Sequence, residues 1–485
     1  MMERLLDLAP GVLTEIVRAL SEDISLAASD KDLYRVALTC RRLFRIAEPF
    51  LYTKLVCPDL RQAKLFLRTI LEKPAYAAKV KYLALEQGDE DEEDDDHEEE
   101  DHEDEEEEHD DGNDDGEDTR GINTMEAKEL AQLIEAYDNL SLPENLDLGR
   151  DDWISALKHQ TYLAIGAIIA LSLPNLERFE IVFPNSVEDS SKFIRRAIQA
   201  ATPQNLPSVA GRFLSNLREV EYFQAALEFI IPLNEIRSYF YLPSLRTLEV
   251  NHLEADAFTW SPPLTPCNIE TLSLESAGIE NEAWGVLFKS MTNLKHLSYS
   301  PGSARHFNSI SAVSALGEHL TLVKSTLETL HMSDFYLGFG PPEDDFLGSL
   351  DDFLRLERLS IQIALLIGSA ECKAEKALWE MLPRPLEDLE IYLEHDHDVE
   401  DREDVIEQVA EVVLRRESQF PGLRRLVIRS RRLQETGRTA ELQEIQFPGL
   451  RCRLIRSRRE QETGLAALQE ICMVKDVKFL ELFDE

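Results

Sequence analysis

The stretch Leu356-Glu357-Arg358-Leu359-Ser360-Ile361 decides the fold, because its L-x-x-L-x-L spacing recurs along the chain. Close copies stand at 245–250 (LRTLEV), 269–274 (IETLSL), 327–332 (LETLHM) and 386–391 (LEDLEI). Looser copies stand at 80–85 (VKYLAL), 176–181 (LERFEI), 217–222 (LREVEY), 294–299 (LKHLSY) and 423–428 (LRRLVI). From 217 to 386, successive copies begin 28, 24, 25, 33, 29 and 30 residues apart, the period of a stacked strand-plus-helix unit. In an extended strand the fourth and sixth positions share one face, and the third, fifth and seventh share the other. One unit cannot bury its own apolar face, but a stack of them can. The pattern therefore predicts a curved α/β solenoid whose outward strand positions form the candidate binding surface.

Composition limits the alternatives. With 485 residues, 43% of them hydrophobic, the chain has ample material for a core. No apolar run reaches the roughly 18–20 residues needed to span a bilayer, and the longest, 162–173, is expected as a packed helix. The N-terminus, MMERLLDLAP, has no signal-peptide core, which points to the cytoplasm or nucleus rather than secretion. Cys40, Cys57, Cys267, Cys372, Cys452 and Cys472 show no C-x-x-C spacing, so free thiols in a reducing compartment are expected. Net charge is −42, and residues 89–118 hold 24 acids with no Lys or Arg, leaving −18 for the rest. Such a density of like charge cannot collapse, so 86–121 is expected to be a disordered insertion in a repeat loop. A globally acidic chain also disfavours nucleic acid as a partner.

Histidines 97, 102 and 109, and the EHDHD run at 394–398, lie within solvated charge runs. A metal site needs ligands held at fixed geometry, so neither a metal nor a cofactor is expected. The sequence lacks G-x-S-x-G, H-E-x-x-H, a P-loop and a dinucleotide fingerprint, and the expectation is a protein without catalysis of its own.

Residues 1–56 read as a helical head. An apolar periodicity covers Val12, Leu13, Ile16, Val17 and Leu20. In a second helix, Asp32 is placed to cap a run in which Leu33, Val36, Ala37, Cys40, Leu43 and Phe44 share a face, ended by Pro49. Periodicity alone allows a cap over the first repeat. The order Leu8-x-Pro10-x-Val12-Leu13-x-Glu15-Ile16-Val17, then Asp32-Leu33, then Val36 to Phe44 and Pro49-Phe50-Leu51-Tyr52, resembles an F-box. The family's leucine-proline pair is Leu8-Ala9 here, with proline one place later at Pro10, and the loop 21–31 is longer than usual. Set before leucine-rich repeats, the head resembles those of fungal F-box proteins with irregular repeats. The resemblance implies docking on the adaptor subunit of a cullin-based ubiquitin ligase through Leu8, Pro10, Val12, Leu13, Ile16, Leu33, Val36, Leu38, Cys40, Leu43 and Phe44. The repeats, 57–485, would then hold the protein substrate.

The outward rows supply candidate substrate contacts at Glu219, Glu221, Glu249, His296, His331, Arg358, Glu390, Tyr392, Arg425 and Arg429. Their charge runs from acidic in the early strands, through small and polar, to basic in the last. At the C-terminus, 419–437 returns as 446–464, offset by 27 residues. Arginine-rich repeats cover 415–464, and 415–459 holds 13 arginines against 4 acids. In the second copy Arg453 stands where the first has Leu426, so that strand either shifts register or frays. The reading is a substrate-recognition subunit of a ubiquitin ligase, with a protein-binding repeat scaffold as the alternative. Neither nucleic acid nor membrane is expected as a partner.

Overall fold

The computed structural model describes residues 8–21, 26–86, 127–140, 142, 149–183, 191–202, 213–224, 230–255, 267–302, 312–333, 346–368, 374–393, 399–430, 441–447, 450–456 and 479–480. Of the insertion expected over 86–121, Glu86 instead ends a strand; 87–121 with its histidines, and the run 394–398, lie outside the described residues. The chain divides into two units: Met1–Leu176 with Ile181–Ala201 and Ser208–Leu214, and Glu177–Glu180 with Thr202–Pro207 and Ser215–Glu485.

The first unit opens with helices Pro10–Ser21, Leu26–Thr39 and Arg41–Leu51. Pro10 begins the first, a position where its fixed φ and missing N–H cost nothing. The expected second helix is two. Cys40 is extended, with φ −162° and ψ 162°, and breaks the run, while Leu33, Ala37 and Leu43 stay buried on both sides of the break. Asp32 lies inside a helix and pairs with Arg35 at 2.9 Å instead of capping. Pro49 sits in the last turn of the third helix rather than ending it.

A strand that the sequence pattern did not suggest follows: β1, Lys54–Cys57, runs parallel to β2, Tyr82–Glu86. The 56/57 boundary of the expected head falls inside β1. Between the two strands lies helix Leu60–Glu72, whose N-terminus is capped by the Asp59 carboxylate accepting the Gln62 amide proton at 2.6 Å. The Tyr52 ring stacks on Tyr76 with centroids 4.1 Å apart, and the Lys79 ammonium lies over both. Tyr76 Oη donates to Glu48 at 3.1 Å, so this cluster ties the third helix to the first repeat. Two helices precede the next strand, Arg150–Lys158 and Tyr162–Leu171, parted at Gln160 with φ 56°. All ten residues of the latter are buried. This is the packed repeat helix that the apolar run predicted, and no helix among the described residues is long and apolar enough to cross a membrane. Strand β3, Arg178–Phe183, carries the division between the units.

The second unit holds β4 Glu219–Gln224, β5 Ile231–Pro232, β6 Thr247–Asn251, β7 Leu253–Ala255, β8 Thr271–Ile279, β9 His296–Pro301, β10 Thr329–Met332, β11 Arg358–Gln362, β12 Asp388–Leu393, β13 Arg425–Ser430, β14 Glu441–Phe447, β15 Leu450–Arg456 and β16 Phe479–Leu480. They form an open sheet in the order β4-β6-β8-β9-β10-β11-β12-β13-β15-β14-β16, with β5 and β7 in a side ladder on β8. Pairing is parallel from β4 to β15. This is a mixed α/β architecture with a mostly parallel open sheet, as an α/β solenoid requires.

One hydrogen-bond motif sets the register. In each strand the carbonyl at the second L-x-x-L-x-L position accepts two amides from the next strand: Arg218 O from Arg246 and Thr247, Glu270 O from Lys295 and His296, Glu328 O from Glu357 and Arg358. Equivalent positions therefore lie side by side, as in Leu248↔Leu272, Leu330↔Leu359 and Leu389↔Leu426. The apolar positions form continuous buried rows: Leu245, Leu248 and Val250, Leu327, Leu330 and Met332, and Leu356, Leu359 and Ile361 are all at most 1% exposed.

The C-terminal copy resolves the two readings of its strand in favour of a shift. β15 pairs with β13 as Leu426↔Cys452, Val427↔Arg453 and Ile428↔Leu454, one residue away from the 27-residue sequence offset. A one-residue slip exchanges the two faces of a strand, so Arg453 stands in register with an open-face row and Leu454 with a core row. The parallel pattern ends here, because β14 pairs antiparallel with β15 and β16 antiparallel with β14.

Candidate functional site

Two surfaces gather the candidate residues, one in each unit. In the head, Val17, Leu33, Ala37 and Ala47 form a buried cluster with Val36, Ile46, Phe50 and Leu51 against it. Leu13 and Leu43 are buried as well. Leu13, Leu33 and Leu43, expected at an adaptor interface, thus serve the head's own core and are closed to a partner in this conformation. Leu8, Val36 and Cys40 are half-buried, and the Leu8 carbonyl accepts from Arg42 Nη2 at 2.9 Å.

The other expected contacts face outward. Pro10 is exposed, and Val12 at 47%, Ile16 at 38%, Leu38 at 66% and Phe44 at 45% leave large apolar side chains in water. Tyr34, at 57%, joins them; its place one turn before Leu38, on the side of the helix away from Leu33 and Ala37, was readable from the sequence and was missed. Fully covering a side chain of this kind is worth about 1.5–3 kcal/mol.

In the second unit the outward positions form three rows across the parallel sheet. The acidic end gathers around Glu221, which faces Glu249 in register. Glu221 was expected as an outward substrate contact but is only 7% exposed. Its carboxylate is paired with the Arg178 guanidinium, whose other arm lies 3.6 Å from Glu219. Burial pushes the Glu221 carboxyl up to about 7; Arg178 opposes the shift, and Glu180, Glu249 and Glu219 add to it. The Glu249 carboxyl is also raised, by burial first and by Glu219 next.

The middle of the face is small and polar. His296 Nδ1 lies 3.0 Å from Thr329 Oγ1, and Ser273, Ser298 and Ser360 occupy the row of Glu249 and His331. Towards the basic end, the His331 ring meets Tyr392 edge-on at 6.0 Å. Ser360 Oγ donates to Tyr392 Oη and Tyr392 Oη to Glu390, both at 3.3 Å. Arg429 Nε donates to the same Glu390 carboxylate. The structure thus joins His331, Glu390, Tyr392 and Arg429 into one network, with Arg358 exposed and Arg425 half-exposed beside it.

Among the described residues no group of three His, Cys, Asp or Glu is placed to hold a metal ion. Burial pushes the Cys57 thiol up to about 12, with Asp59 adding to the shift. A groove of about 890 Å³ in the first unit is lined by Arg61, Lys64, Leu65, Arg68, Lys128 and His159 among others. His159 Nδ1 lies 2.8 Å from the carbonyl of Ser155 on its own helix.

No family model matches the chain. No curated protein matches it either. Among solved structures, it is similar to a Bacteroides fragilis protein whose crystal structure came from the Northeast Structural Genomics Consortium, at 14% identity and a TM-score of 0.28. The match covers 53% of this chain and 60% of that one, less than two thirds of that protein's length. A likeness of this size carries no argument about fold or function.

Proposed function

We propose that the protein is the substrate-recognition subunit of a cullin-based ubiquitin ligase. In this reading the head is an F-box that docks on the ligase adaptor, the leucine-rich repeats hold the protein substrate, and catalysis belongs to the partners. The observation that carries it is the head's exterior. Val12, Ile16, Tyr34, Leu38 and Phe44 expose apolar side chains from three helices whose core is already complete without them, at positions where the F-box resemblance expects the adaptor or, for Tyr34, beside them. Where such side chains join in one patch they mark a protein-interaction site, and on this reading the adaptor covers them. The Tyr52–Tyr76 stack favours a second reading, in which the head only caps the first repeat of a scaffold. The test is co-purification of adaptor and cullin with the full chain, against a chain in which the outer apolar residues are made polar. Retention by the first and loss by the second supports the ligase; absence from both leaves the scaffold.

A further inference from the structure

The open face of the second unit has a charge polarity that the register of its strands makes explicit. At one end, the third, fifth and seventh rows bring Glu180, Glu219, Glu221, Glu249 and Glu275 together with one cation, Arg178. At the other, Arg358, Asp388 and Arg425 stand side by side, as do Tyr392 and Arg429. The slipped register of β15 continues these rows, setting Arg451 beside Arg425 and Arg453 beside Val427. Up to β13 that end holds three arginines, Arg358, Arg425 and Arg429, against Asp388 and Glu390. Between the ends the rows carry Thr271, Ser273, His296, Ser298, Thr329 and Ser360, side chains too short to block a strand of polypeptide lying across them. Apart from Phe223 and Val427 the rows are polar, so a partner is held mainly by charge and hydrogen bonds rather than by apolar burial.

We propose that this face binds a polypeptide segment of the opposite polarity, with basic residues over Glu219 and Glu249 and acidic residues over Arg358 and Arg425. The proposal rests on the reading of the repeats as the substrate-holding part, and it names the chemistry of that substrate. The sheet sets the spacing. Seven inter-strand steps separate β4 from β13, which at about 4.8 Å each is a path of roughly 34 Å. An extended chain rising ~3.3 Å per residue covers it with about ten residues. A segment whose charges lie much closer together engages one end at a time.

The experiment measures binding of labelled peptides to the full chain at low and high salt. The peptides are a dipolar one with three lysines and three glutamates separated by about six Gly/Ser residues, enough to cross the four steps from β6 to β11, the same charges without the spacer, an all-acidic one, an all-basic one and a neutral one. The spaced dipolar peptide should bind most tightly, and its affinity should fall as salt screens the contacts. Glu219→Lys with Glu249→Lys should weaken it about tenfold, as should Arg358→Glu with Arg425→Glu. The chain carrying all four reversals should not recover it, because Glu180, Glu221 and Glu275 still cancel the new positive charge at that end. Equal binding of the spaced and unspaced peptides, tight binding of a single-sign peptide, full recovery of binding by the fourfold variant, or self-association of the chain that blocks the peptide would each overturn the proposal. Adaptor retention is measured on the same variants and should be unchanged. Its loss from every chain, the unaltered one included, with peptide binding intact would instead remove the ligase reading and leave the face's chemistry standing.

Discussion

The head and the open sheet face solve the problem of an exposed surface in opposite ways. The head leaves five large apolar side chains between 38% and 66% exposed around a core built of Val17, Leu33, Ala37 and Ala47. Across the sheet, the outward rows from β6 to β11 carry hydroxyls, imidazoles, amides and charges, while Leu248, Leu272, Leu297, Leu330 and Leu359 turn inward. Apolar contact scales with covered area and is little affected by salt, whereas charge contact at a surface orients a partner, is weak per pair and is screened. On the proposed function the difference has a use: the head holds a constant subunit, and the sheet holds a partner that comes and goes.

The largest test of this contrast is on the two cores. Leu33→Ala in the head and Leu330→Ala in the sheet each leave a cavity among fully buried neighbours, and each should cost about 2–5 kcal/mol in denaturant unfolding. Leu33→Ala should also abolish any head-dependent binding while leaving peptide binding on the sheet face intact. A loss of both activities from the head variant would show that the two surfaces are not independent.

Glycines give a smaller and sharper version. A Cβ at Gly317 would fall 1.8 Å from the Leu347 carbonyl oxygen, whereas one at Gly11 would meet nothing within 4 Å. Gly317→Ala should therefore destabilise by about 1–3 kcal/mol, as overpacked sites do. Gly11→Ala should be neutral or gain a few tenths of a kcal/mol from helix propensity. Equal effects at the two sites would contradict the close approach of helix Val313–Leu320 to the segment beside it.

A further effect lies in pH. The Glu221 carboxyl titrates near 7 in the folded chain against an ordinary value of 4.5. Between these values the folded state binds more proton than the unfolded one, so this group lowers stability as pH rises through that window. Glu221→Gln should remove that slope, so that its melting temperature, compared with the parent's, gains ground from pH 5 to pH 8. A gap that stays constant with pH would show that Arg178 holds the carboxylate ionised throughout.

Much of the sheet was legible because its signal is repeated: each L-x-x-L-x-L copy fixes a strand, its faces and the place of its neighbour. What was not legible depended on pairing or on a single break. Strand β1 has only four residues, Lys54–Cys57, and is a strand because β2 lies beside it. The break at Cys40 leaves the helical periodicity of Leu33, Ala37 and Leu43 intact, so no apolar pattern reveals it. In the head, the spacing identified which residues belong together but not which side each faced. Leu13 and Val12 are neighbours in sequence, yet they are 1% and 47% exposed. Glu221 carries no mark in sequence to separate it from Glu219, and only the structure shows it buried against Arg178. The slipped register of β15 was one of two readings the sequence allowed, and the pairing Val427↔Arg453 decides it.

The most direct test of the central claim is a quantitative co-purification of the ligase adaptor with the full chain and with Leu38→Asp/Phe44→Asp, both checked for unchanged unfolding. Both side chains point into solvent, so the double variant should fold as the parent does. The account predicts stoichiometric adaptor on the parent, in high salt as in low, and a loss of at least about a hundredfold on the variant, the scale expected when two apolar anchors at an interface are replaced by charge. Equal retention of adaptor by both chains, or none by either, would contradict it.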